Sequence, residues 1–213
     1  MESGLDIAKS LFEQKRYQEV IHSCKQLLLL DNNSIEALKL ISKSLFATRQ
    51  LEDACTYLNK LLIIQPNDYE VIKDLGNSFQ ALGDIQKAKH YYQKAISINS
   101  SYAPALTNLG GIELLTGNKQ VALSLLIQAT EYDPELAPAW KNLANGYIQF
   151  NQLKEAETAC RKSIDLNPNL FNSHFLLATI LLKQKKFQQA ELPLRKTIEL
   201  NPSFAEAHCN LGT

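Results

Sequence analysis

The chain has 213 residues, 45% of them apolar and 21% charged, enough apolar content to bury a core and too much for a disordered segment. Lys plus Arg and Asp plus Glu each number 22, a formal net charge of zero, so no long-range positive field is available to hold a nucleic acid or an anionic membrane. Four scattered cysteines with no CxxC, a start without leader-like regions, and no apolar run longer than Leu27–Leu30 predict a reducing, cytoplasmic setting with no signal peptide and no membrane span.

From Met1 onward one pattern returns every 34 residues, the mark of a repeat architecture. Six copies run 1–34, 35–68, 69–102, 103–136, 137–170 and 171–204, and 205–213 opens a seventh, so the chain is predicted to be one array over 1–213. Positions 4, 7, 8 and 11 of each copy share a helical face, and positions 20, 24 and 27 mark a second helix. The first copy reads Ile7, Ala8, Leu11, then Val20, Cys24, Leu27; the second reads Ile41, Ser42, Leu45, then Leu61. Leucine at position 27 in both predicts looser or shifted packing there, because the later copies are small at that point. The third copy has Leu75, Gly76 and Phe79, a Gly83-Asp84 turn, then Ala88, Tyr92 and Ala95. The fourth starts with Pro104, places Gly110 and Glu113 on its first helix, and turns at Gly117-Asn118. Glu113 stands at a packing position, so its carboxylate is expected to find solvent or a donor. The fifth has Pro138 and Trp140, then Leu143, Ala144 and Tyr147, a turn at Asn151-Gln152, and Ala156, Cys160 and Ser163. The sixth has His174, Leu177, Ala178 and Leu181, with Pro193 inside its second helix, where a kink is expected. Pro66, Pro134, Pro168 and Pro202 close second helices. Small residues at 8, 20 and 27 let backbones approach while large ones at 4, 11 and 24 fill the gaps. No single pair buries both faces, so the pattern predicts an all-α solenoid of stacked helical pairs.

These residues resemble the tetratricopeptide repeat. The fifth copy carries the family's signature in Trp140, Leu143-Ala144, Tyr147, Ala156, Cys160, Ser163 and Pro168. The resemblance implies a right-handed alpha-alpha superhelix whose first helices line a concave groove, and a non-enzymatic scaffold that binds a peptide or partner protein there. The repeats are similar to those of bacterial tetratricopeptide proteins. Asn108, Asn142 and Asn210 also resemble the asparagine ladder in the superhelix of O-linked N-acetylglucosamine transferase, which Asp6, Leu40, Asp74 and Leu176 interrupt here. The second reading is therefore a substrate-recruiting arm of a larger transferase or oxygenase. The open last copy, with Leu194 and Ile198 expected on its face, adds end-to-end self-association.

On the groove positions stand Lys73, Asn77, Asn108, Lys141, Asn142 and Asn145, flanked by the apolar set Phe175, Thr179 and Leu182. Amides and ammonium groups repeated on one face can hold the main chain of an extended peptide. Lys73, Asn77 and Asn108 match three of the five residues of the family's carboxylate clamp. Pro138 and Asn142 fall where two of its basic groups belong, so a groove of broader specificity is the reading. Metal, cofactor and catalytic motifs are not expected. His174 and His208 lie a repeat apart and read as packing residues, and His22 and His90 as solvent-facing. Cys24 and Cys160 read as inert core, and Cys209 as accessible.

Overall fold

A left-handed residue joins the two helices of every pair. In the computed structural model, which describes residues 3–212, Lys15, Arg49, Gly83, Gly117, Asn151 and Lys185 all have φ between 57° and 87°. They are one position in six successive copies. At each, the N–H of the next residue reaches five residues back, as from Gln50 to Leu45 and from Asp84 to Phe79 (both 2.9 Å). This closure satisfies the last carbonyls of the first helix. Gly83 and Gly117 adopt the conformation freely; the lysines and the arginine adopt it because the closure and the next helix hold them.

Among the described residues there are thirteen α-helices and no strand, the all-α fold expected. A first compact unit, ending at Ser100, holds α1 (Gly4–Glu13), α2 (Tyr17–Leu30), α3 (Ile35–Ala47), α4 (Leu51–Ile64), α5 (Tyr69–Ala81) and α6 (Ile85–Ile98). A second, starting at Ser101, holds α7 (Ala103–Leu115), α8 (Lys119–Tyr132), α9 (Ala137–Gln149), α10 (Leu153–Leu166), α11 (Phe171–Lys183), α12 (Phe187–Leu200) and α13 (Ala205–Leu211). Side chains start several helices. Ser3 and Asp6 form a capping box on α1, and the Asp68 carboxylate accepts the N–H groups of Glu70 and Val71 at the start of α5. Pro104 and Pro138 occupy the first turns of α7 and α9, where a missing N–H costs little.

Within each unit, consecutive helices pack side by side through interlocking small and large residues. A Cβ on Gly76 would come within 2.6 Å of the Tyr92 ring, and one on Gly110 within 2.7 Å of Leu126. Positions 4 and 27 of a copy share one space. Gly4 leaves it to Leu27, whose Cδ2 would lie 3.1 Å from an added Cβ. Ile72 with Ala95 and Leu106 with Ala129 reverse the roles, and all four are buried. Leu38 and Leu61 are both large and both fully buried.

Ring N–H groups at position 4 add a tie that the packing pattern does not show. Trp140 Nε1 donates to the Pro134 carbonyl (2.8 Å), and His174 Nε2 and His208 Nε2 lie 2.8 and 2.9 Å from the carbonyls of Pro168 and Pro202. The proline that ends one second helix thus anchors the next first helix. In these pairs the imidazole donates from Nε2. At the far end, α13 covers the face expected to be open. Leu194 is only 2% exposed and packs with Ala178 and Ala207, and Ile198 is partly buried beside them. Self-association through those two side chains therefore loses its basis. Pro193 cannot donate its helical hydrogen bond, yet α12 continues to Leu200, and the Thr197 hydroxyl donates to the Pro193 carbonyl (2.8 Å).

Glu113 is 4% exposed and meets the donor expected for it. Asn118 Nδ2 donates to Oε2 at 2.6 Å, and the Thr116 hydroxyl lies 3.3 Å away. Asn118→Ala should cost about 1–3 kcal/mol by taking a donor from a buried carboxylate. Denaturant unfolding reads this as a lower midpoint at an unchanged slope.

Candidate functional site

The face of the first helices carries the candidate residues, and each unit holds its own set. In the first unit, Lys73 and Asn77 stand one turn apart on α5. Both line a cleft of about 270 Å³ with Lys39, Ser42, Lys43 and Phe46 of α3, above Leu58 and Leu61 of α4. Neither side chain is idle. Lys73 pairs with Asp74, and the Tyr92 hydroxyl donates to Asn77 Oδ1 at 2.8 Å and lies 2.7 Å from Gln80 Oε1. Asn77 thus ties the site to the core, because Tyr92 is fully buried.

In the second unit, Asn108 lies on α7, and Lys141, Asn142 and Asn145 lie on α9. Asn142 reaches across to α7: its Nδ2 donates to the Thr107 carbonyl at 3.3 Å and would lie 3.3 Å from a Cβ on Gly111. Glycine at 111 therefore leaves room for the amide. Asn108, Asn142 and Asn145 are all half-buried. Asn145 has no hydrogen-bond partner among the described residues.

Two further groups sharpen this patch. Lys141 is half-buried and has no ion pair or hydrogen bond among the described residues. Burial holds its ammonium below the ordinary value of 10.5, because desolvation disfavours the charged form. Thr107, at the same position of the preceding copy, is 2% exposed, and its hydroxyl has no hydrogen-bond partner among the described residues. Periodicity places Thr107 at the groove position that Lys141 holds in the next copy, but nothing in its residue type signalled the missing partner.

The apolar flank is more engaged than expected. The Phe175 ring packs edge to face on Phe204 (4.8 Å between centroids), the Thr179 hydroxyl donates to the Phe175 carbonyl (3.0 Å), and Leu182 packs partly buried against the core. Phe175 is therefore engaged in packing against Phe204, the residue that leads into α13.

Burial raises the thiol of Cys24 to about 11 and that of Cys160 to about 12, and Cys209 is exposed. Burial suppresses the thiolate in the first two. No group of three or more potential metal ligands is found among the described residues, and none of their helices is long and apolar enough to cross a membrane.

Family models described as tetratricopeptide repeat match residues 69–102, 137–170 and 159–191. No curated protein sequence matches significantly. Among solved structures, a chain of the APC/C hetero-tetramer Cut9-Hcn1 superposes with a TM-score of 0.91 at 18% identity; the match covers 98% of this chain and 42% of that one. A tetratricopeptide repeat protein from Parabacteroides merdae gives 0.77 at 18% identity, over 98% of this chain and 82% of that one. YrrB, described as a TPR protein with an unusual peptide-binding site, gives 0.61 at 16% identity, over 89% and 98%.

Proposed function

The chain belongs to the tetratricopeptide repeat family, and from that premise we propose that this protein-interaction scaffold binds an extended segment of a partner through the amide and lysine groups of its first helices. It works without chemistry of its own. Half-buried asparagines offer a donor and an acceptor each, which suits the main chain of a peptide whatever its side chains. YrrB's peptide-binding site lends the reading support by analogy of fold.

The observation that carries the reading is Lys141. A half-desolvated ammonium without a counter-ion is a cost to the folded chain, and a partner carboxylate or carbonyl set against it recovers that cost on binding. The neighbouring repeat adds the Thr107 hydroxyl, which is buried and lacks a partner. Both groups are costs to the fold, and a binding role at this face accounts for the charge.

Lys141→Met tests the reading by separating stability from binding. The lysine's folded pKa is depressed, so the folded chain binds fewer protons than the unfolded one. The charge therefore destabilises the fold at pH 7, and the penalty fades as pH rises toward 10.5. Removing the charge should raise Tm at pH 7 and change it little near pH 10.5. Partner affinity should fall about tenfold. Lower stability together with unchanged affinity would mark Lys141 as structural and count against the site.

A further inference from the structure

The cleft between α3 and α5 coincides with a residue pair specific to the second copy. There the paired positions 4 and 27 are both leucine, Leu38 and Leu61, and both are fully buried. In every other copy one member of the pair is small or polar: Gly4, Ala95, Ala129, Ser163 or Thr197. Neighbouring first helices pack directly in α1 with α3, α7 with α9, and α9 with α11. Between α3 and α5, the side chains of Leu58 and Leu61 fill the gap from below, and an open cleft of about 270 Å³ lies above them. A void half that size suffices for a benzene ring, at about 150 Å³.

The rim of this cleft has a sign. Lys39, Lys43 and Lys73 line it against Glu70 and Asp74. Lys39 is tied to Asp68 (3.1 Å) and Lys73 to Asp74. Lys43 is exposed and has no ion pair among the described residues. Glu70 sits at the start of α5, whereas Lys43 is the ninth residue of α3 and stands level in the repeat with Asn77. Seven positions of helix rise, about 10 Å, separate the levels of the acid and the free ammonium. The Lys43 end is therefore the cationic end.

We propose that this cleft is a specificity pocket for a partner segment carrying a bulky apolar side chain with a carboxylate beside it. The apolar side chain enters between α3 and α5 onto Leu58, Leu61 and Val71, and the carboxylate meets Lys43. This rests on the reading of the first-helix face as a peptide-binding surface and adds sequence preference to contacts that otherwise ignore side chains. The attraction comes from the entering side chain's own apolar area and the exposed Phe46 ring at the cleft wall being removed from water, and the Lys43 ammonium, unpaired among the described residues, discriminates acid from base beside the anchor.

The test uses the whole chain with methyl-labelled Leu and Val, titrated with three ten-residue peptides. Each has a Gly, Ser and Asn background around a Phe-Glu, an Ala-Glu or a Phe-Lys centre. The Phe-Glu peptide should move the methyl signals of Leu58, Leu61 and Val71 and bind at least tenfold more tightly than the other two. Lys43→Glu, a surface change, should invert the preference between Phe-Glu and Phe-Lys. Leu61→Ala restores the large–small pairing of the later copies and should weaken Phe-Glu binding at least tenfold while the chain still melts cooperatively. Equal affinity for the three peptides, or shifts that bypass those methyls, overturns the pocket. If equal binding still moves the Asn77 or Asn145 side-chain amide signals, the pocket falls and the broader peptide-binding reading stands.

Discussion

Replacing Tyr92 with alanine is expected to lower stability by about 3–5 kcal/mol, the range for emptying a fully buried aromatic site. Tyr92 is completely buried, its ring fills the space that Gly76 leaves, and its hydroxyl bonds Asn77 and lies within bonding distance of Gln80. Three features separate cavity from hydrogen bonding. Tyr92→Phe keeps the ring and should cost only about 1–2 kcal/mol. Gly76→Ala keeps the hydroxyl but drives a Cβ to within 2.6 Å of a ring pinned at its far end, so the gain in helix propensity of about 1 kcal/mol is outweighed by overpacking of about 1–3 kcal/mol. Tyr92→Phe should also loosen the Asn77 amide, visible as greater solvent exchange of its side-chain NH₂. Denaturant unfolding of the three variants checks the order Tyr92→Ala first. A cost below 1 kcal/mol for Tyr92→Ala would mean that α5 and α6 do not depend on this contact.

Asn108→Ala combined with Asn142→Ala should reduce affinity for the partner segment by about 30- to 1000-fold. Each amide removed loses one or two hydrogen bonds to a peptide main chain, worth about 1 kcal/mol apiece, and about 1.4 kcal/mol is a factor of ten. The fold should lose less. The internal hydrogen bond shown for Asn142, to the Thr107 carbonyl, is long at 3.3 Å, and Asn108 is also engaged within the fold, so the two losses together should stay within about 2 kcal/mol, roughly 4–8 °C in Tm. Calorimetric titration and a thermal melt of the same preparation read both numbers. An affinity loss matched by a large drop in Tm would assign the two asparagines to packing.

The legible part of the fold was the part written in residue type. Gly83, Gly117 and Asn151 marked the left-handed turns because their side chains tolerate positive φ, whereas Lys15, Arg49 and Lys185 adopt the same conformation with nothing in their chemistry to signal it. The closure from position 16 back to position 11 imposes it, and only the period could have carried the inference across copies. His174 and His208 read correctly as packing residues, but their bonds to Pro168 and Pro202 needed the spatial return of the chain. Trp140 over Pro134 in the preceding copy offered the pattern.

The candidate site was legible by position and illegible by engagement. Periodicity put Lys73, Asn77, Asn142 and Asn145 on first helices, and they are there. It could not tell that Asn77 is held by Tyr92, that Phe175 is used in packing on Phe204, or that Leu194 lies beneath α13. Those outcomes depend on which neighbour fills a gap, a question of volume between segments far apart in sequence. Lys141 and Thr107 show the converse. Their significance lies in missing partners, and absence of a partner is not a property of a residue in a string.

Photo-crosslinking tests the central claim most directly. A benzoylphenylalanine placed at Asn145 on α9, or at the exposed Thr158 on the second helix α10, is irradiated with the chain bound to its partner. A covalent adduct is expected from position 145 and none from position 158. Adducts from 158 with none from 145 would place binding on the second helices and contradict that claim.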